Sequence, residues 1–274
     1  MFYVKANNIK MAVETYGDPD KPALMVLHGA ATSIAGYRSW KRKKFLDRMT
    51  KNFFVVLFDR RCHGKTGFPE SFTFEEQATD VVALMDALCI DKAAVMGESA
   101  GTYVGGRTAI LFPERVSHLI LCVPHDRAEG GTPAAAYFKR NNIDQTKLSS
   151  EEMTKLIDAA VYAPTTPASL KEKFIAFTAQ AEAEVGVQFT PEQTAAAYAA
   201  MAVWDNRPGY ATLEVPTLVM SGKYDQVCPA EIGREIASLV KNSKYVEFEH
   251  SGHLLSVEQE DEMIDTVEDF LLNH

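Results

Sequence analysis

The sequence has no apolar run near the roughly 20 residues that cross a bilayer, no C-x-x-C pair and no internal repeat, and each absence removes a class of protein. Its four cysteines, Cys62, Cys89, Cys122 and Cys228, are scattered, so neither a zinc framework nor a thioredoxin-like motif is expected, and a reducing compartment suits them. Positive charge is in deficit: 28 Lys and Arg stand against 37 Asp and Glu, a formal net charge of -9. That balance argues against nucleic acid or a membrane surface as partner, because both are polyanions. The opening residues, Met1 to Asn8, lack the basic start and apolar core of a secretion signal, so a cytoplasmic protein acting on a small molecule is the expectation.

What the 274 residues contain is the composition of a folded globular chain, 46% hydrophobic and 24% charged, long enough to bury a large core without staples. Short, nearly continuous apolar runs read as strands buried on both faces: Ala23 to Leu27, Phe53 to Phe58, Ala93 to Met96, His118 to Val123 and Pro216 to Met220. Apolar stripes at helical period lie between and after them, at Ala78, Val81, Val82, Met85 and Leu88, at Ile232, Ile236, Leu239 and Val240, and at Met263, Ile264, Val267, Phe270 and Leu271. The alternation predicts an α/β fold with a mostly parallel, doubly wound sheet. Residues 126–212 break it with helix-like, aromatic-dotted segments and no buried strand. They read as a helical cap inserted into a core of residues 1–125 and 213–274, with a hinge at Gly130-Gly131 and Pro133 and an end near Pro208-Gly209. A basic cluster from Arg38 to Lys51 and an acidic one from Glu258 to Asp269 each read as the solvated face of a surface helix.

The chemistry is carried by Gly97-Glu98-Ser99-Ala100-Gly101, set directly after a short strand and before a segment, Thr102 to Phe112, that reads as a helix. This is the strand-turn-helix setting of a nucleophile elbow, in which a strained turn lifts the serine hydroxyl off the strand end. Serine needs a histidine to take its proton and an acid to orient that histidine. Asp225 follows the strand ending at Met220, and His253 follows the strand Lys244 to Phe248, so Ser99, Asp225 and His253 all sit beyond the carboxyl ends of strands. Asp126 is a rival acid. His28-Gly29-Ala30 follows the first of the five strands, where the N–H of Ala30, with that of Ala100, can bind an oxyanion. His250 and His253 form an H-x-x-H pair with no third ligand at helical spacing, so no metal and no cofactor is expected.

With these residues in place the chain resembles the α/β-hydrolase superfamily along essentially its whole length, specifically members with a helical cap after the sixth strand. Phe58 to Gly64 is similar to that family's D-x-R-G-x-G turn, with Cys62 in place of Gly and Thr66 in place of the Ser that follows; these departures predict a loop set differently against the site. Pro216 to Asp225 is similar to its P-T-L-x-x-x-G-x-x-D segment, and Gly252-His253 with Glu258 to its G-H and following Glu. Ser99, where epoxide hydrolases and dehalogenases carry Asp, speaks against both activities. The resemblance implies an esterase-like enzyme working through an acyl-enzyme on Ser99, with a small or medium ester or a lactone as substrate. C–C hydrolysis or perhydrolysis on the same triad, or a slow receptor-like hydrolase, are the alternatives. His28, His125, Tyr162 and Trp204 are the candidate pocket residues, and other aromatics between Tyr137 and Tyr210 divide between pocket wall and cap core.

Overall fold

The protein is described by a computed structural model that covers residues 1–30, 32–38, 40–69, 72–128, 133–185, 190, 195, 197 and 199–274. The expected hinge at Gly130-Gly131 and the cap aromatic Tyr198 lie outside the described residues.

Eight strands form one sheet: β1 (Phe2–Ala6), β2 (Ile9–Tyr16), β3 (Ala23–Leu27), β4 (Phe54–Phe58), β5 (Ala93–Glu98), β6 (Val116–Cys122), β7 (Thr217–Gly222) and β8 (Ser243–Phe248). Their order is β1-β2-β4-β3-β5-β6-β7-β8, and only β2 runs against the rest. The mostly parallel sheet expected from the apolar runs is therefore present, with ends that shift by one or two residues. The β1–β2 hairpin went unread. It turns at Asn7 and Asn8, with φ of 44° and 62°, the left-handed pair a two-residue hairpin requires and asparagine tolerates.

Helices cover both faces. Six of the elements are α1 (Trp40–Met49), α2 (Phe74–Ala87), α3 (Ala100–Leu111), α4 (Pro133–Arg140), α5 (Ser150–Val161) and α6 (Ala168–Val185). They are followed by α7 (Arg207–Tyr210), α8 (Ala230–Leu239), α9 (Leu255–Glu258) and α10 (Glu260–Asn273). Successive strand residues point to opposite faces, and the core divides accordingly. Met25, Leu27 and Val95 pack with Val81 and Met85 of α2, Val104 of α3 and Ile236 of α8. Leu24, Val26 and Met96 pack with Phe45 and Met49 of α1 and Met263, Val267 and Phe270 of α10. Helix α2 starts on a complete capping box, Thr73 with Glu76. The basic and acidic clusters are not two separate solvated faces: Lys44 meets Asp261, and Arg48 meets Glu268 and, at 2.9 Å, Asp265. They zip α1 to α10 across more than 200 residues of sequence.

Helices α4, α5 and α6 fall between β6 and β7. The chain leaves and re-enters the sheet region through paired segments, with an antiparallel bridge of Arg127 to Asp205 and N–H bonds from Ala128 to the Trp204 carbonyl and from Asn206 to the Asp126 carbonyl.

Candidate active site

The elbow is built by exclusion. A Cβ at Gly97 would fall on the Gly101 carbonyl and one at Gly101 on the Leu27 carbonyl, so strand β5, helix α3 and strand β3 can meet only where neither residue has a side chain. Ser99 between them takes φ 51° and ψ -120°, a conformation that costs a side-chain-bearing residue of order 1–3 kcal/mol and is held by its surroundings. Its N–H donates to the Cys122 carbonyl at 2.9 Å, and its carbonyl accepts from the Thr102 hydroxyl at 2.6 Å.

Three loops converge on that serine. The Ser99 hydroxyl lies 2.9 Å from His253 Nε2, and His253 Nδ1 lies 2.7 Å from Asp225 Oδ2. The other carboxylate oxygen accepts the N–H groups of Val227 and Cys228, each at 2.8 Å, so Asp225 is fully buried and held at both ends. An acceptor carboxylate fixes Nδ1 as the protonated nitrogen and leaves Nε2 free to accept from the serine. Burial disfavours a charged ring, but the charge and hydrogen bond of Asp225, joined by the adjacent Cys228 thiol, outweigh it and hold the His253 pKa well above the ordinary imidazole value.

The histidine loop is itself clamped. The His253 N–H donates to the Val161 carbonyl at 2.7 Å, at the end of α5. Glu258 accepts from the Gly252 N–H at 2.9 Å and from the Ala163 N–H at 2.8 Å, and also from the Thr166 hydroxyl. One carboxylate thus ties the base loop to the chain that follows α5, a role visible in the sequence only as a Glu five residues after the histidine.

His28-Gly29-Ala30 passes beside Ser99; a Cβ on Gly29 would stand 3.3 Å from Ser99 Cβ. Ala100 opens α3, where an N–H has no acceptor within its own helix. Below this loop lies Arg60, 2% exposed, whose guanidinium donates to the His28 carbonyl at 2.9 Å, the Gly29 carbonyl at 3.0 Å and Gln77 Oε1 at 3.2 Å. Burial pulls its pKa down to about 10, still protonated at neutral pH. The motif reading passed over Arg60, the unspecified position of the D-x-R turn.

Of the candidate pocket residues, His28 and Trp204 are both buried. His28 has Nε2 accepting the Arg60 N–H at 3.0 Å and Nδ1 2.8 Å from the Gly29 carbonyl, so its ring supports the loop from within. Trp204 is stacked on Tyr103 and Phe74, with centroids 4.5 and 5.2 Å away, as part of the main core. His125 is buried with both ring nitrogens lacking a hydrogen-bond partner among the described residues, and Tyr162 caps α5 next to the His253 loop. The rival acid Asp126 accepts from Arg127 at 2.7 Å, while His253 is held by Asp225. His250 is exposed. His63 hydrogen-bonds the Arg61 carbonyl at 3.0 Å, and burial together with Arg60 pushes its pKa down to about 3.

The Asp59 turn is closed by its own hydrogen bonds. Asp59 accepts the N–H groups of Ile34 and Lys65, and Thr66 donates to the Asp59 carbonyl at 2.6 Å while accepting the Ala12 N–H at 2.9 Å. Cys62 holds φ 64° where glycine would rest without strain, and burial pushes its thiol up to about 12, too high for a thiolate nucleophile.

An eight-stranded sheet of this order, with a serine, a histidine and a carboxylate in a hydrogen-bonded line at its strand ends, defines a hydrolase-type catalytic core. Residues 22–260 match the model of the alpha/beta hydrolase fold family, and the chain belongs to that family. It is 27% identical over 261 residues to 3-oxoadipate enol-lactonase 2 of Acinetobacter baylyi, covering 93% of this chain and 90% of the relative. It is 27% identical to the 2-hydroxy-6-oxo-6-phenylhexa-2,4-dienoate hydrolase of Comamonas testosteroni, covering 91% and 87%. The crystal structure of an enol-lactonase from Burkholderia xenovorans shares the fold with a TM-score of 0.80 at 24% identity, over 99% of this chain and all of that one. No helix among the described residues is long and apolar enough to cross a membrane.

Proposed function

We propose that the protein is a serine hydrolase that cleaves a small or medium carboxylic ester, or a lactone, through an acyl-enzyme on Ser99. The observation that carries this reading is the unbroken line from Ser99 Oγ to His253 Nε2 and from Nδ1 to Asp225. In it His253 takes the serine proton as Ser99 attacks the carbonyl and returns it to the leaving oxygen, while Asp225 keeps the tautomer and stabilises the imidazolium. The Ala30 and Ala100 N–H groups receive the oxyanion, a contribution of about 3–4 kcal/mol per donor in a comparable enzyme. Water then attacks the acyl-enzyme with His253 again as base. Arg60, positively charged beneath the Ala30 loop, fixes its two preceding carbonyls and so the direction of its N–H.

Residues 126–212 are the proposed cap, with α5 against the acid and base loops through the bonds of Val161 to His253 and Ala160 to Gln226. His125 and Tyr162 are its proposed polar contacts with substrate. The lactone option is supported by the relative named as an enol-lactonase, and the second reading, C–C hydrolysis of a dienoate, by the relative of that name. Turnover on p-nitrophenyl acetate and butyrate, γ-lactones and a dienoic keto-acid separates them. Multiple turnover on esters or lactones is expected; cleavage of the keto-acid alone replaces the ester reading, and a single acylation without turnover replaces it with a receptor.

A further inference from the structure

Among the described residues, one group of side chains brings three metal-ligating atoms together. A carboxylate oxygen of Asp225, the sulfur of Cys228 and a ring nitrogen of His253 all lie within 4.8 Å of one another. The proton relay runs through two of the three, with the sulfur beside the ring. Cys228 has no exposed surface, and its position is set by its own N–H bond to the Asp225 carboxylate. The imidazole is the member with an edge toward solvent, its side chain 13% exposed, which gives a small ion a way in.

We propose that Asp225, Cys228 and His253 form a binding site for a thiophilic divalent cation, Zn2+ or Cd2+, whose occupancy turns the enzyme off. The donor set mixes a soft sulfur, a borderline imidazole and a carboxylate, which Zn2+ accepts in four-coordinate sites with water as the fourth ligand. Bonds of about 2.0–2.3 Å put tetrahedral ligand atoms roughly 3.3–3.8 Å apart, so the Asp225–His253 pair must open by about 1 Å and the sulfur draw in by a similar amount. Charge favours the exchange. The metal-free group carries one negative charge, on Asp225. Starting from the neutral ring, binding Zn2+ releases the thiol proton and moves the Nδ1 proton to Nε2, leaving thiolate, carboxylate and neutral imidazole around the ion, a site of zero net charge, which suits a buried position. With Nδ1 on the metal, the ring proton resides on Nε2, the atom 2.9 Å from the Ser99 hydroxyl, and a protonated Nε2 cannot accept the serine proton. The binding is independent of which bond the enzyme cleaves; only the inhibition rests on His253 as the base.

The test uses the full chain in a Cys89→Ser background, since Cys89 is exposed and would bind metal on its own. Titration with Cd2+ should raise the ultraviolet thiolate-to-metal absorption to saturation at one ion per chain, and Cys228→Ala or Cys228→Ser should abolish it. Zn2+ should inhibit ester turnover reversibly, with activity restored by EDTA, and the half-inhibiting concentration should rise at least tenfold in either Cys228 variant, each compared with its own metal-free rate. Ser99→Ala keeps all three ligands and must show the same absorption, so the binding can be judged without catalysis. Absence of the band in the parent, a band that survives both Cys228 replacements, or equal Zn2+ sensitivity of parent and variants overturns the site.

Discussion

Replacing Asp225 by Asn tests the relay most directly, because the structure fixes which way the amide must face. The carboxylate oxygen remote from His253 accepts two N–H groups, from Val227 and Cys228, both at 2.8 Å. An asparagine there keeps its carbonyl on those donors and turns its NH2 toward His253 Nδ1. The ring must then accept at Nδ1 and carry its proton on Nε2, which removes the base. The productive tautomer returns only if the amide flips, and that leaves both backbone donors facing an NH2. Unmet buried donors cost about 1–3 kcal/mol each, so the flip costs roughly 2–6 kcal/mol in total. At 1.36 kcal/mol per decade this is a loss in kcat of about 30-fold to about 26,000-fold, and a serine protease with the same change loses about 10,000-fold. Steady-state kcat on an activated ester, measured for Asp225→Asn and Asp126→Asn side by side, is the assay. Asp225→Asn within threefold of the parent, with Asp126→Asn the crippled enzyme, would refute both the acid and the reasoning from amide orientation.

Ser99→Ala should remove turnover and labelling by a fluorophosphonate while leaving the unfolding midpoint nearly unchanged; label mapped to any other residue contradicts the nucleophile. The rate needs neutral His253, and Asp225 holds its pKa up, so kcat/KM should fall with acid through a single ionisation above the ordinary value of about 6.5; a limb below that value would mean that burial outweighs the carboxylate. Glu258→Ala should release the base loop from the chain after α5, lowering kcat about 10- to 100-fold, the cost of losing the precise geometry that a relay requires. Glu258→Gln, which retains an acceptor oxygen, should recover part of that loss, and equal damage in the two variants would remove the clamp from the argument.

The elbow was legible because its requirement is local: two backbones approach a turn so closely that Gly97 and Gly101 admit no Cβ, and a spacing of five residues records that fact. The strand that leads to Asp225 was legible for a similar reason, as an apolar run that two layers of helices must cover, whereas β8, which leads to His253, is a half-buried edge strand. Trp204 was not, since periodicity separates apolar from polar positions but does not separate a core against Tyr103 and Phe74 from a pocket wall. The same limit hid Arg60: a charge in a loop reads as solvated until the carbonyls of His28 and Gly29 are found around it. The α1–α10 ion pairs join charges that each looked like a separate surface.

The triad itself follows from register rather than from any one motif. Ser99 stands at the end of β5 and Asp225 beyond β7, with β6 between them. Neighbouring strands are about 4.8 Å apart, so the two strand ends are separated by roughly 10 Å, too far for a hydroxyl and a carboxylate to meet. An imidazole, with nitrogens on two edges, spans what remains, and here it comes from the loop after β8, the strand next to that of Asp225. The histidine therefore follows the acid in the chain, and the bond from the Gly252 N–H to Glu258 holds the loop on which the ring lies between its two partners.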